Sequence, residues 1–379
     1  MQPFLDVGAV PVNSCLLVRT REQALAFPRG DITLGFCADC GFICNLAFEP
    51  SLTEYSGRYE ETQAYSGTFN RFHEALASEL VSRLAVRGKT VVEVGCGKGE
   101  FLALLCRLGG NRGIGFDPSF DANREVFGAG MDVRVVREFY GEGSGRADGD
   151  LVCCKMTLEH VSEAERFARS LHSALRPGQE SRLFIQVPES LRILRDCAFE
   201  DIYYEHCSYF TPGSLARLFR RSGFAIERLT VTYAGQYLTL EARLADAGAQ
   251  EPLAGEEPVA EIAQLVDSFA ARYKEHTAAW RTRIEEAARS GPVVLWGSGS
   301  KAVAFLHAIG ASGDLVQHVV DINPHRHGYF MPGTGQRILA PADLTAVAPR
   351  TVIAMNPIYR EEIAAELARH GVSATLLTL

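Results

Sequence analysis

Residues 201–211 concentrate side chains that can move a proton. They read Asp-Ile-Tyr-Tyr-Glu-His-Cys-Ser-Tyr-Phe-Thr and follow a strand-like run that ends near residue 188. In α/β proteins, chemistry is placed beyond the carboxyl ends of the strands. A neutral histidine can accept a proton, and an adjacent carboxylate can orient it, so His206 and Glu205 are candidate catalytic residues. The alternative is a lid whose aromatic rings cover a ligand while His206 bonds to a backbone carbonyl.

A glycine loop at residues 93–99, Glu-Val-Gly-Cys-Gly-Lys-Gly, follows one strand-like run and opens a helix. Glycine lets the backbone approach a ligand closely, and the helix N-terminus offers free N–H groups. A dinucleotide fingerprint would need glycine or alanine where Glu100 stands. The G-x-G-x-G spacing resembles class I S-adenosylmethionine-dependent methyltransferases instead, with Asp117 placed to bind the ribose. The predicted cofactor contacts are Glu93, Gly95, Gly97, Gly99 and Asp117.

A third segment, residues 155–161, follows a buried strand and reads Lys-Met-Thr-Leu-Glu-His-Val. It resembles the Leu-Glu-His segment that closes the cofactor pocket in many of these methyltransferases. His160 is therefore either a catalytic residue or a hydrogen-bonded histidine at the end of a strand.

A second glycine loop lies at residues 296–302, Trp-Gly-Ser-Gly-Ser-Lys-Ala. Its G-x-G-x-x-A spacing, with Asp321 about twenty residues on, is also a dinucleotide fingerprint. An NAD-dependent oxidoreductase is thus the hypothesis from another functional class. Against it, the C-terminal unit is short for a complete two-lobed cofactor fold.

Hydrophobic periodicity predicts the elements that position these motifs. Strand-like runs and helical patterns alternate, which indicates a parallel sheet with helices on both faces. Strands are predicted near residues 90–94, 113–116, 133–136, 150–154, 183–187, 293–296, 319–322 and 351–355, with a hairpin at 226–233 and 237–244. Helices are predicted at 101–108, 163–175 (stopped by Pro177 and Gly178), 259–288, 302–309 and 360–370.

Domain boundaries follow from changes in composition. Residues 1–68 are predicted to be an irregular, small, cysteine-containing domain. Residues 69–245 form the predicted methyltransferase domain, and an acidic stretch rich in Pro, Gly and Ala at 245–257 has a linker composition. Residues 246–379 form the predicted C-terminal α/β domain.

These segments together resemble one family: the S-adenosylmethionine-dependent C-methyltransferases that act on nucleotide-linked 4-keto deoxysugars in antibiotic biosynthesis. The resemblance covers nearly the whole chain. Its most specific marks are residues 203–211, Val-Asp-Ile-Asn-Pro at 320–324, Met-Pro-Gly-Thr at 331–334, and Asn356. It implies a zinc-binding N-terminal domain, a class I methyltransferase domain with a Rossmann-like sheet, and a C-terminal α/β domain.

The resemblance also implies roles for individual residues. His206 would be the general base, assisted by further catalytic residues that line the sugar pocket: Tyr203, Glu205, His160 and Tyr65. A second family tyrosine is replaced by Thr62, and Tyr59 is the candidate substitute. Lys301 and the second loop would help to hold the nucleotide diphosphate. The predicted substrate contacts are Tyr59, Tyr209, Lys301 and Asn356.

Zinc is implied by the same resemblance. Cys37 and Cys40 form one half of a four-cysteine site, and Cys15 and Cys44 are the candidates for the other half. A tetrahedral structural zinc needs four ligands, but Val12 stands where the family has its first cysteine. The alternative is a metal-free remnant held by packing.

Charge and composition limit the remaining functions. The 379 residues include 38 Lys and Arg against 46 Asp and Glu, a net charge of −8 with a pI near 5.8, which argues against binding nucleic acid through its phosphates. No apolar run is long enough for a membrane span, and no secretory signal is evident, which predicts a cytoplasmic enzyme acting on a small molecule. The prediction is C-methylation of a nucleotide-linked 4-keto sugar through an enolate. The alternative is C-, O- or N-methylation of another small metabolite.

Overall fold

The chain forms three β-sheets with helices packed around them. A computed structural model describes residues 1–56, 58–123, 126–141, 147–175, 180–246, 250–311 and 315–379. The strands in chain order are β1 Gln2–Pro11, β2 Arg29–Phe36, β3 Ile43–Asn45, β4 Thr90–Val94, β5 Arg112–Phe116, β6 Val133–Val136, β7 Leu151–Lys155, β8 Arg182–Pro188, β9 Ser208–Tyr209, β10 Phe224–Thr232, β11 Tyr237–Leu244, β12 Val293–Trp296, β13 His318–Val320, β14 Arg337–Leu339, β15 Thr351–Ala354 and β16 Thr375–Thr378. The α-helices are α1 Arg21–Leu25, α2 Gly67–Arg83, α3 Glu100–Gly109, α4 Ala164–Ala174, α5 Ser190–Asp196, α6 Pro212–Arg221, α7 Val259–Ser290, α8 Ser300–Ala308, α9 Leu344–Val347 and α10 Arg360–Arg369.

The central sheet has seven strands in the order β6-β5-β4-β7-β8-β11-β10. Strands β4 to β8 run parallel, and β11 pairs antiparallel with both β8 and β10. Strands β4 and β7 are almost wholly buried because helices cover both faces of the sheet. The predicted parallel α/β sheet, finished by an antiparallel hairpin, is confirmed. Its carboxyl edge brings together the loops after β4, β5, β7 and β8.

The N-terminal region was predicted to be irregular, and this prediction is wrong. Strands β1 and β2 pair antiparallel, with α1 between them in the chain, and β3 and then β9 follow in the sheet order β1-β2-β3-β9. The missed signal is the alternation of buried Ile32, Leu34 and Phe36 with polar neighbours in β2. Because β9 belongs to the predicted histidine segment, this sheet holds the segment in place.

The C-terminal sheet is parallel throughout, in the order β14-β13-β12-β15-β16. The predicted strands at 293–296, 319–322 and 351–355 are confirmed to within two residues, whereas the short β14 and β16 were not predicted. Helix α7 links two cores: Ile262 and Phe269 pack with the N-terminal sheet, and Ile284 packs with the C-terminal one. The boundaries at 68/69 and 245/246 stay a prediction.

Two predicted features fall partly outside the described residues. They are the helix stop at Pro177 and Gly178 and residues 247–249 of the predicted linker. Helix α4 ends at Ala174, which is consistent with the predicted helix to within one residue. None of the helices in the described ranges combines the length and the apolar character that a bilayer crossing requires.

Candidate active site

One cavity of about 890 Å³ lies where the three sheets meet. Both glycine loops open into it, as do the histidine segment and the tyrosines that precede α2. This volume is near the upper end of the roughly 300–1,000 Å³ typical of ligand sites, so the cavity has room for more than one small molecule.

The first glycine loop turns sharply between β4 and α3. The amide of Gly95 donates to the carbonyl of Phe116 at 2.8 Å, and Gly95 has a φ of +70°. A Cβ on Gly95 would lie 2.1 Å from Oγ1 of Thr157, so only glycine fits there. Gly97 donates its amide to Oδ2 of Asp117 at 2.8 Å, which brings the predicted ribose ligand against the loop.

The predicted cofactor residues Glu93, Asp117 and Gly99 occupy distinct positions. Glu93 and Asp117 line the cavity, whereas Gly99 starts α3 behind the cavity wall with a φ of +82°. Burial raises the pKa of Glu93 to about 8. Beside it, Nζ of Lys155 lies 5.8 Å from the ring centroid of Phe69. Sequence reasoning missed Lys155 as a site residue, although a lysine ending a buried strand was a visible signal.

Two histidines meet at the centre of the cavity. The rings of His160 and His206 lie 4.9 Å apart, edge to face. Nε2 of His206 is 2.8 Å from the hydroxyl of Tyr203, and Nδ1 of His160 is 3.0 Å from the carbonyl oxygen of Glu205. Burial, together with His160 nearby, lowers the pKa of His206 well below its ordinary value. The imidazole of His206 is therefore neutral near pH 7 and can accept a proton.

Glu205 does not orient His206 through its carboxylate as expected. The Glu205 carboxylate accepts hydrogen bonds from the side chain of Asn13 at 3.0 Å and from the amide of Ser14 at 2.8 Å. It also accepts from the Ser14 hydroxyl. Glu205 therefore ties the N-terminal strand region to the histidine segment, and only its backbone carbonyl touches the histidine pair.

The predicted tyrosines separate into three positions. Tyr59 is buried and lines the cavity, with its ring centroid 5.4 Å from that of Tyr55. The Tyr55 hydroxyl lies 3.1 Å from Nδ1 of His160, a contact that sequence reasoning did not single out. Tyr65 stands at the cavity mouth and is 42% exposed. Tyr209 lies outside the cavity, in the core beneath the N-terminal sheet, so its predicted substrate contact is not supported.

The second glycine loop faces the first across the cavity. Ser298 donates its amide to Oδ2 of Asp321 at 2.8 Å. Lys301 lines the cavity and forms an ion pair with Asp201, which also pairs with Arg192. The predicted contact Asn356 exchanges two amide hydrogen bonds with Gln236, at 2.9 and 2.8 Å, and also lines the cavity.

The structure does not assemble the predicted four-cysteine zinc site. Among the described residues, no cluster of three or more metal-ligand atoms includes a cysteine. Cys15 lies beside the second glycine loop, with its sulfur 3.6 Å from Oγ of Ser300, whereas Cys37 and Cys40 share a turn between β2 and β3. Cys44 lies in β3. The four predicted ligands do not fit a structural zinc ion because Cys37 and Cys40 approach each other but no third thiol joins them among the described residues.

Comparisons with known proteins divide the chain in a similar way. Residues 69–229 match a family model described as a methyltransferase domain, and residues 239–374 match one described as a C-methyltransferase C-terminal domain. The chain is similar to the C-methyltransferase NovU of Streptomyces niveus, with 25% identity over 81% of this chain and 76% of that protein. The second of these family models contains the second glycine loop and is not a dinucleotide-binding domain. This match overturns the hypothesis that the second loop belongs to an oxidoreductase.

Three further similarities cover a smaller share of the chain. The ubiquinone biosynthesis O-methyltransferase of Escherichia coli is 31% identical over 24% of this chain and 40% of that protein. The solved 1,6-didemethyltoxoflavin-N1-methyltransferase of Burkholderia thailandensis covers 56% of this chain, and the alignment spans 99% of that protein with 20% identity and a TM-score of 0.38. The alignment with the solved magnesium protoporphyrin IX methyltransferase of Synechocystis spans 46% of this chain and 83% of that protein, with 19% identity and a TM-score of 0.37.

Proposed function

The chain belongs to the S-adenosylmethionine-dependent C-methyltransferases, and from this premise we propose that its acceptor is a nucleotide-linked 4-keto deoxysugar. The methyl group would be added to the carbon next to the ketone. One observation carries the proposal: a single cavity joins the first glycine loop, the buried His206 and the second glycine loop. That order suits a methyl donor, a base and a binding site for the nucleotide part of the substrate.

The donor side of the cavity is the first glycine loop. When bound, S-adenosylmethionine supplies a methyl group on a sulfonium that is activated for direct displacement. Gly95 and Gly97 would allow its close approach to the backbone. Asp117 keeps acceptor capacity for ribose hydroxyls because a carboxylate has about four lone-pair sites and Asp117 accepts three hydrogen bonds, from Gly97 and Ser119.

The base in this proposal is His206. Its neutral imidazole would remove a proton from the carbon next to the ketone, while the Tyr203 hydroxyl fixes the ring. The hydroxyl of Tyr55 is the candidate donor to the enolate oxygen, because the N–H of His160 is directed at the carbonyl oxygen of Glu205. When bound, the cofactor would supply the methyl group that the enolate carbon takes up and would be left as S-adenosylhomocysteine, so positioning and enolate stabilisation would supply most of the rate.

The nucleotide side is the start of α8. The N-terminus of this helix and the adjacent Lys301 offer N–H groups and a positive charge to a diphosphate. Asp201 would remain compensated if Lys301 turned to the substrate, because Asp201 also pairs with Arg192. Asn356 and Tyr59 line the same space.

The test is direct transfer of a labelled methyl group. Purified protein is incubated with labelled S-adenosylmethionine and a panel of nucleotide 4-keto sugars, and products are identified by mass. The matched control is the same nucleotide sugar reduced at carbon 4, which cannot form the enolate. Methyl transfer to the keto sugar alone supports the proposal. Transfer only to other small acceptors would replace it with the alternative of C-, O- or N-methylation of another metabolite.

A further inference from the structure

Glu159 is a buried carboxyl group next to His160 in the chain. Its relative exposure is 1%, and neither carboxylate oxygen has a hydrogen-bond partner among the described residues. Burying a carboxyl group in this way is costly unless something pairs with it. Because Glu159 lines the large cavity, a partner can reach it from solution.

Two histidines converge on this carboxylate. One ligand atom each from Glu159, His160 and His206 lie within 4.8 Å of one another, and all three residues line the cavity. We propose that these three side chains bind a divalent first-row transition metal ion of the Zn²⁺ type. The position is distinct from the cysteines of the N-terminal region, which do not assemble a site.

The chemistry of the donor set selects this class of ion. Two imidazoles and one carboxylate are a ligand set of catalytic zinc sites and of non-haem iron sites, whereas Mg²⁺ and Ca²⁺ prefer oxygen ligands. Metal–ligand bonds of about 2.0–2.2 Å require ligand atoms within about 4.4 Å of one another. Small side-chain rotations are therefore sufficient to close the site, and its remaining positions would face the cavity.

Outer contacts already orient the two imidazoles. Nδ1 of His160 lies 3.0 Å from the carbonyl of Glu205, so donation there leaves Nε2 with its lone pair for a metal. The hydroxyl of Tyr203 holds the ring of His206. A carbonyl or hydroxyl partner on the second ring nitrogen is the usual support of a metal-binding histidine.

A metal ion bound here would also affect the proposed methyl transfer. This effect on turnover depends on the proposed function, whereas metal binding does not. His206 cannot accept a proton while its lone pair is given to a metal. A bound Zn²⁺ ion would therefore inhibit deprotonation of the substrate, and a chelator would restore it. Binding of the metal itself can be measured whether or not the sugar acceptor is correct.

The binding test uses the full chain freed of metal with a chelator. Zn²⁺ is titrated by equilibrium dialysis, and Co²⁺ is added separately as a spectroscopic probe. We expect one equivalent of each, with visible cobalt bands but no thiolate-to-cobalt charge-transfer band. Glu159→Gln should weaken Zn²⁺ binding by about 100-fold or more, at least the effect of losing an outer-shell partner. The matched control, Cys37→Ser with Cys40→Ser, should leave it unchanged.

Folding and ligand identity have their own controls. Calorimetry with S-adenosylhomocysteine shows whether Glu159→Gln is folded. If it is not, X-ray absorption of the wild-type zinc complex decides: nitrogen and oxygen neighbours support the site, and sulfur neighbours overturn it. Absence of zinc binding by the wild-type chain, or its loss only in the cysteine variant, also overturns it. Full turnover with Zn²⁺ bound would remove His206 from the ligand set.

Discussion

The two glycine loops share one backbone hydrogen-bond arrangement, but the residues beneath them differ. In each, a loop amide donates at 2.8 Å to the aspartate that follows the next strand: Gly97 to Asp117, and Ser298 to Asp321. Beneath the first loop lie ionisable groups, among them the buried Glu93 and the half-buried Lys155. The strand below the second loop, β12, is Val-Val-Leu-Trp and fully buried.

This difference explains why loop spacing alone could not assign the ligands. A methyl donor carries a sulfonium, an amino group and a carboxylate, so a floor with both acidic and basic groups suits it. The second loop offers backbone amides and Lys301 at its rim, which suits a phosphate. Glycine spacing reports the backbone turn, whereas the residues under the turn decide which charges can be bound.

The largest effect should come from filling the first loop. Gly97→Val places a side chain in the cavity at a residue with a φ of +52°, so S-adenosylhomocysteine binding should become undetectable by calorimetry. The matched variant in the second loop is Gly299→Val, where φ is −78° and an added Cβ meets no atom within 4 Å. It should bind S-adenosylhomocysteine like the wild type. Equal losses in both variants would refute the division between the loops.

Replacing the proposed base, His206, should give the next largest effect. His206→Asn should keep both ligands but lose about 10²–10⁴-fold in turnover, the usual contribution of a general base. Exchange of the substrate α-proton with deuterated water, measured with S-adenosylhomocysteine bound, isolates deprotonation from methyl transfer. Exchange at the wild-type rate in the variant would show that another group, such as His160 or Tyr203, takes the proton.

Local patterns carried most of the correct predictions. The strands that precede the glycine loops are largely apolar, β12 without interruption and β4 with Glu93 as its one buried charge, and the loops have glycine at fixed spacing, so both motifs are visible within a few residues. Asp117 was found for the same reason, since it directly follows β5, whereas His206 was found from its clustering with tyrosine and glutamate in residues 201–211. The positions of the first loop and of the histidine pair at the cavity were therefore predictable, and their roles in binding and catalysis stay predictions.

Long-range contacts explain the failures. The direction of the Glu205 carboxylate is set by Asn13 and Ser14, which are 192 and 191 positions away in the chain. Cys15 is drawn to Ser300, 285 positions away, and not to the other cysteines. Neither contact has a local sequence signal, because each depends on how the N-terminal sheet packs on the other two.

Replacing the lysine of each loop should change a different property: stability for Lys98 and substrate binding for Lys301. Lys98 is buried and donates to the carbonyl oxygen of Tyr59 at 2.7 Å, so Lys98→Met should lower the free energy of unfolding by about 1–3 kcal/mol. Lys301→Met should leave stability near the wild-type value, because Asp201 keeps its pairing with Arg192. It should instead raise the substrate KM by about tenfold or more, the equivalent of one charged hydrogen bond. Chemical denaturation and steady-state kinetics on both variants distinguish the two outcomes.

The smallest effect concerns how His73, a residue beneath the first loop, changes the stability of the protein at acidic pH. His73 is buried there, with its ring stacked 4.9 Å from that of Phe101. Burial, with Lys155 nearby, lowers the pKa of His73 to about 2, far below about 6.5 in the unfolded chain. Between these values only the unfolded state binds the proton, so the free energy of unfolding falls as pH drops below about 6.5.

Replacing His73 by an apolar ring should remove that contribution. His73→Phe keeps the stacking on Phe101 but cannot be protonated, so its stability relative to the wild type should be constant above pH 7. The difference should then shift in favour of the variant by about 1.4 kcal/mol at pH 5.5, one pH unit below the unfolded pKa. Urea denaturation of both proteins at several pH values measures the shift. Parallel stability curves from pH 8 to 5.5 would mean that His73 is protonated as readily in the folded chain as in the unfolded chain. Water would then reach the His73 ring beneath the first loop.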